Sequence, residues 1–293
     1  TGPWIENYWI SNFETAYDNS TGCLSEHFGP FVPIFVPWAD LWVNKNPNPA
    51  SYPGDLISTL LKVLRPNVPC ITVSKHDYGV PGGYPVMLKK LPKSMLVLSG
   101  GGYGHVPVPL LKQTEPIDNQ IPVANRTLFM SYVGHHNHAP RDLRQKMIDV
   151  TKELGEQRRF NSTYCSGRHW RNVMQNSKFS LVPRGFGRTA FHLVEALQMG
   201  LIPIQVYSDV PWVPHAKLYE KLGFATDLDG LPRLTDKLLN MTNEQLEDRE
   251  KRIVSMRESH FTPAAVMKHI GNFMKQLPND LQCQELPSTM RDC

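Results

Sequence analysis

The sequence predicts an α/β protein of two units, each a parallel sheet covered by helices, followed by a helical tail. Three observations predict it. From Thr127 onward, short apolar runs alternate with stretches of helical periodicity. A looser alternation of the same kind fills residues 54–98, and the polar stretch Lys112 to Val123 between the two reads as a linker. The expected division is a first domain over residues 1–120 and a second over 121–293.

Residues 1–53 are rich in Trp, Tyr, Pro and Asn and read as irregular, apart from the run Phe31-Val32-Pro33-Ile34-Phe35-Val36. Gly54 to Leu64 then puts Leu56, Ile57, Leu60, Leu61 and Leu64 on one helical face. Cys70-Ile71-Thr72-Val73 and Met95-Leu96-Val97-Leu98 read as short buried strands. Gly100-Gly101-Gly102 and Val106-Pro107-Val108-Pro109 break the order. Leu128 to Val133 is a strand ending at Gly134. Pro140 opens a helix carrying Leu143, Met147, Ile148 and Leu154, with Gly155 as its expected stop. Lys178–Val182 is a strand, Arg188–Met199 a helix ended by Gly200, and Leu201–Val206 a strand. Asn243 to Leu277 forms the helical tail. Such alternation argues for parallel sheets covered on both faces, in two domains facing a cleft.

Composition narrows the function classes. With 293 residues, 41% of them hydrophobic and 20% charged, the chain can bury a sizeable core and disorder is not its default. A net charge of +4 is too small to argue for nucleic acid, which is not an expected partner, though it suits an anionic ligand in a basic cleft. Five cysteines (Cys23, Cys70, Cys165, Cys283, Cys293) contain no C-x-x-C pair, which argues against zinc and thioredoxin-like chemistry. The odd count leaves at least one thiol free or paired with another chain; Cys283 and Cys293 are candidates for a disulfide. Sequons at Asn19, Asn125, Asn161 and Asn240 point to an oxidising secretory compartment. No apolar run reaches membrane-spanning length. The chain opens at Thr1-Gly2-Pro3 without methionine, so an N-terminal signal or anchor beyond it is expected.

In open α/β sheets ligands bind beyond the carboxyl ends of the strands. Two loops of the second unit qualify. The first, Gly134-His135-His136-Asn137-His138-Ala139-Pro140-Arg141, leads into a helix whose free N–H groups and dipole favour an anion, with Arg141 and Arg144 adding charge. Its three histidines also invite a metal reading, but no carboxylate or cysteine lies near to complete a site. The second, Pro183-Arg184-Gly185-Phe186-Gly187-Arg188-Thr189, has glycines that permit close approach and arginines suited to a diphosphate. It lacks the Walker lysine and the dinucleotide fingerprint, so kinase and dehydrogenase readings fall. Glu195, inside an apolar helix, needs partners: ribose hydroxyls, or a salt bridge to a neighbouring arginine. Asp227-Leu228-Asp229 has a metal-binding D-x-D spacing but precedes a helix, where acidic residues serve as caps.

The run Ser177-Lys178-Phe179-Ser180-Leu181-Val182-Pro183-Arg184-Gly185, followed by Glu195-Ala196-Leu197-Gln198-Met199-Gly200-Leu201-Ile202-Pro203-Ile204, resembles the signature of the exostosin glycosyltransferase family. Asp209 and Pro214 hold its closing positions. Leu128 to Gly134 with Leu143-Arg144 looks like the family's strand and arginine-bearing helix, and His76-Asp77-Tyr78-Gly79 is similar to its histidine-aspartate-aromatic-glycine motif. The resemblance implies a GT-B architecture of two Rossmann-like domains, with acceptor mainly in the first and nucleotide-sugar in the second. It implies inverting transfer of a hexose or pentose from a UDP-sugar to a glycan or glycoprotein, in the lumen of the Golgi or another secretory compartment, by a type II membrane protein. Gly134, Arg144, Arg184, Gly185, Arg188 and Glu195 would hold the donor, with Arg184 and Arg144 on the diphosphate and Glu195 on the ribose. Asp77 or His76 would be the base. No metal and no other cofactor is expected. The chain departs from the family at Ala190-Phe191-His192, where Ser-x-Arg is usual, and at His215. That departure keeps two alternatives open: a non-catalytic partner subunit, or a carbohydrate-binding protein that stacks sugars on Trp4, Trp9, Trp38 and Trp42.

Overall fold

The computed structural model describes residues 4–39, 56–80, 91–118 and 120–284. Trp42, Cys293 and the side chain of Ile57 lie outside the described residues, and with Cys293 the expected disulfide. The chain divides into two compact units, Thr1–Gln113 with Pro263–Cys293, and Thr114–Thr262. The boundary falls a few residues before the expected one. The helical tail consists of two helices, and the second of them, expected in the second domain, packs with the first unit.

The first unit holds a wholly parallel sheet in the order β1-β2-β3-β4: β1 (Val32–Pro33), β2 (Cys70–Ser74), β3 (Met95–Ser99) and β4 (Val106–Pro107). β2 is buried along its whole length, as an apolar strand inside a parallel sheet must be. Val106-Pro107 does not break the order but pairs at the sheet edge, where proline's missing N–H is tolerated. α1 (Ile5–Asp18) occupies a segment whose composition reads as irregular. Its helix is held by burial of Ile5, Glu6 and Trp9 rather than by propensity. α2 (Ser25–Phe28) and α3 (Leu56–Val63) follow; Leu60 of α3 is buried while Leu61 is exposed, so the apolar face is narrower than expected.

The second unit holds five parallel strands in the order β6-β5-β7-β8-β9: β5 (Leu128–Val133), β6 (Ser162–Cys165), β7 (Ser177–Pro183), β8 (Ile202–Val206) and β9 (Phe224–Thr226). α4 (Leu143–Arg158) enters through a 3-10 turn at Pro140–Asp142. It runs past Gly155, which faces the turn at Phe160, and stops instead at Arg159 in the left-handed conformation (φ 59°). α5 (Trp170–Gln175) precedes β7, and α6 (Phe191–Gln198) begins three residues later than the expected Arg188. α7 (Ala216–Leu222), α8 (Leu231–Leu239) and α9 (Asn243–His260) complete the unit, and α10 (Pro263–Met274) belongs to the first. Among the described residues, no helix is long and apolar enough to cross a membrane.

Candidate functional site

In the first unit, the residues after β2 form a closed turn. Ser74 Oγ donates to Gly79 O (2.9 Å) and accepts from the His76 N–H (3.2 Å), and the Gly79 N–H returns to His76 O (2.9 Å). Glu6, 1% exposed, accepts the Lys75 N–H (2.8 Å) with one carboxylate oxygen and the Ala39 N–H (3.0 Å) with the other. The turn packs on the loop after β3 so closely that a Cβ on Gly101 would lie 2.0 Å from His76 O. Asp77 and Tyr78 are exposed on this rigid turn.

His76 and Asp77 thus sit side by side but differ chemically. The Tyr78 backbone N–H donates to His76 Nδ1 (3.1 Å), so the neutral ring carries its proton on Nε2. Burial, with Lys75 adding repulsion, pushes the His76 pKa down to about 4. A ring whose one lone pair is already engaged is a poor base. Asp77, exposed and acceptor-only when ionised, is the better one.

In the second unit, the loops after β5 and β7 are fastened by arginines. Arg184, 3% exposed, donates from Nε to Gly187 O (2.9 Å), from Nη2 to Phe186 O (2.9 Å), and from Nη1 to Ser208 Oγ (2.7 Å) and Asp209 Oδ1 (3.0 Å). Arg188, 2% exposed, meets the other oxygen of Asp209 (2.7 Å). Both side chains build the turn around themselves. Gly185 belongs to that turn through its N–H to Thr189 O (3.0 Å).

Arg144 differs. It projects from α4 between the two loops, donating from Nε to Arg184 O (3.0 Å) and from Nη1 to His135 O (2.9 Å). It is 9% exposed and meets no carboxylate among the described residues. Gly134 makes room for this junction: its φ is +150°, and a Cβ there would fall 2.7 Å from the Tyr132 hydroxyl, which donates to His135 O (2.8 Å). Burial raises the Tyr132 pKa against the opposing pull of Arg144. His135, His136 and His138 are exposed, and no three-residue metal cluster occurs among the described residues.

Glu195, 2% exposed on α6, pairs with the ring Nδ1 of His192 one turn earlier. No side chain caps the start of α6. Asp227 accepts the Gly230 N–H (2.8 Å) in the turn before α8, but the helix itself has Gly230 as N-cap and no side-chain cap, so the capping expected of Asp227 and Asp229 is not seen. Trp9 and Trp38 are core residues, 3% and 0% exposed, so the sugar-stacking surface expected of them does not exist. Trp38 instead donates from Nε1 to Thr72 Oγ1 (2.9 Å).

The sequence missed Glu6 and the pairing of His192 with Glu195. A carboxylate between Ile5 and Trp9 on one helical face was the available signal for the first.

Residues 99–222 match the Exostosin GT47 domain. The match takes in Gly134, Arg144, Arg184, Gly185, Arg188, Glu195 and Asp209, whereas His76 and Asp77 precede it. The structure is similar to that of TarM (10% identity, TM-score 0.37, over 74% of this chain and 57% of that one). It is also similar to the GtfA/B complex (11%, 0.40, 84% and 52%) and to Anabaena HepE in complex with UDP (12%, 0.43, 92% and 82%). The chain therefore spans little more than half the length of the first two. No curated protein matches the sequence.

Proposed function

We propose, with the Exostosin GT47 match as premise, that this chain is the catalytic part of an inverting GT-B glycosyltransferase, moving a sugar from a UDP-sugar to a glycan or glycoprotein. The observation that carries the reading is Arg144. A nearly buried guanidinium that meets two backbone carbonyls and the Tyr132 side chain, but no carboxylate among the described residues, is a costly arrangement unless an anion completes it. It stands where the loops after two neighbouring parallel strands meet, the place where α/β sheets take ligands. A diphosphate supplies the missing charge. Glu195, on the same helix, takes the ribose. Arg184 and Arg188 support the loop, and their charge acts on the diphosphate from within it.

The first unit is assigned the acceptor. Asp77 takes the acceptor hydroxyl's proton as that oxygen bonds to the sugar's anomeric carbon. The bond from that carbon to the diphosphate breaks, UDP leaves with the electron pair, and the anomeric configuration inverts. Leaving-group charge is met by Arg144, so no metal is required. The sequon asparagines Asn19, Asn125, Asn161 and Asn240 are all exposed, which supports a lumenal, glycosylated protein.

Calorimetric titration with UDP, GDP and UDP-sugars tests the reading. Binding of UDP that persists in EDTA is expected. Absence of nucleotide binding, or binding that needs manganese, refutes it.

A further inference from the structure

We infer that His192 is a positioning residue for the carboxylate assigned to the ribose. The inference rests on the reading of Glu195 as ribose ligand and adds the group that aims it. Glu195 lies in α6 between apolar Leu193, Val194, Ala196 and Leu197, and its side chain is 3% exposed. A carboxylate so placed stays ionised and oriented only where donors hold it. His192 Nδ1 meets Glu195 Oε2 from the preceding turn, the i, i+3 spacing that brings side chains together on one helix face.

His192 is itself steered. Its ring lies 5.7 Å from the Trp170 ring at 55°, and Arg171 stacks on Trp170 with its guanidinium 4.2 Å from the ring centroid. Arg171 is anchored in turn by Glu115, through contacts of 2.7 Å from Nε and 2.6 Å from Nη2. The imidazole is 29% exposed, so it stands at the wall between core and solvent, where a ligand would reach Glu195. His192 thereby fixes the orientation of the Glu195 carboxylate. This makes His192 a determinant of ribose recognition and not of the diphosphate.

The test uses UDP and 2′,3′-dideoxy-UDP as probes on the whole chain, by calorimetry, with melting temperature as a control. The unaltered protein is expected to prefer UDP by tenfold or more, on the order of one charged hydrogen bond. In His192→Ala this preference should shrink to within about threefold, with the affinity for dideoxy-UDP little changed. His192→Arg should restore the preference. An alanine variant that keeps full discrimination overturns the inference, as does an arginine variant that folds and fails to restore it. Should the alanine variant not fold, His192→Gln and the arginine variant carry the same comparison. An unaltered protein that binds neither probe overturns the donor-site reading itself, a result distinct from equal discrimination in all variants.

Discussion

The loop clusters of the two units are rigid for opposite reasons. After β2, the turn of Ser74 to Gly79 is held by a hydroxyl, a buried carboxylate and close backbone packing, and it leaves Asp77 and Tyr78 exposed. After β5 and β7, the loops are held by guanidinium groups, and Arg184 and Arg188 are almost wholly buried in doing so. A conspicuous charge in sequence is therefore not equivalent to a charge offered to ligand. In the first unit the carboxylate that builds is Glu6 and the one that faces solvent is Asp77. In the second, Arg184 and Arg188 build, and Arg144 retains a charge that calls for an anion.

The largest effect that could break this comparison is on turnover. Asp77→Asn is expected to lower transfer by about 10²- to 10⁴-fold, the range for a lost general base, with UDP affinity retained. A His76→Gln variant should lose far less, because its Nδ1 already accepts the Tyr78 N–H. Steady-state kinetics on both variants decide it; equal losses would mean that the pair acts as a unit.

The next effect separates the building arginines from the binding one. Arg184→Met removes the donor to Ser208, two loop carbonyls and one oxygen of Asp209, whose other oxygen Arg188 still meets, which should cost about 2 to 4 kcal/mol in denaturant unfolding. Arg144→Met strands two backbone carbonyls, removes a contact with Tyr132 and takes away a charge that meets no carboxylate among the described residues. Its stability should change by less than about 2 kcal/mol, while UDP affinity falls roughly 10- to 100-fold. If instead both variants unfold alike and bind alike, the distinction between them is empty.

Acid titration sharpens the first unit. The His76 pKa of about 4 lies below the ordinary histidine value, so the unfolded chain binds the proton more readily than the folded one. Its contribution to stability is intact above about pH 6.5, is lost progressively as pH falls, and is gone below about pH 4. The loss amounts to at most roughly 3 kcal/mol. Chemical denaturation from pH 7 to 4 should show this slope, and His76→Gln should flatten it.

How much of this was legible depends on where the information resides. The second unit's strands β5, β7 and β8 were readable because each is a mostly buried run dominated by apolar residues, the mark of a parallel sheet interior. α1 was not, because Trp, Tyr and Asn have middling helix propensity and its stability comes from packing. Gly155 looked like a helix stop because composition cannot distinguish a glycine that ends a helix from one that admits a neighbour. Arg184 was visible as a basic loop residue and Arg144 as a basic residue at the start of a helix. Which of them builds and which binds depends on Asp209, 25 residues from Arg184 in sequence, and on carbonyl positions that only the fold defines.

The smallest expected effect concerns the opposite end of the second unit. Asn125 closes the turn leading into β5, Asn161 immediately precedes β6, and Asn240 follows the last turn of α8, a helix running back from the far end of β9. All three are exposed and lie by the amino-terminal ends of parallel strands, whereas the arginine-fastened loops lie at the carboxyl ends. Glycans there would stand a sheet's length from the donor site. Material secreted from eukaryotic cells should shift in gel mobility on N-glycosidase treatment, and its UDP affinity should stay within about twofold, as for sites that share no partner. An unchanged mobility would remove the support for a lumenal protein. A shift accompanied by a large loss of affinity would mean that ligand binding reaches the amino-terminal end of the sheet, against the polarity on which the whole site assignment depends.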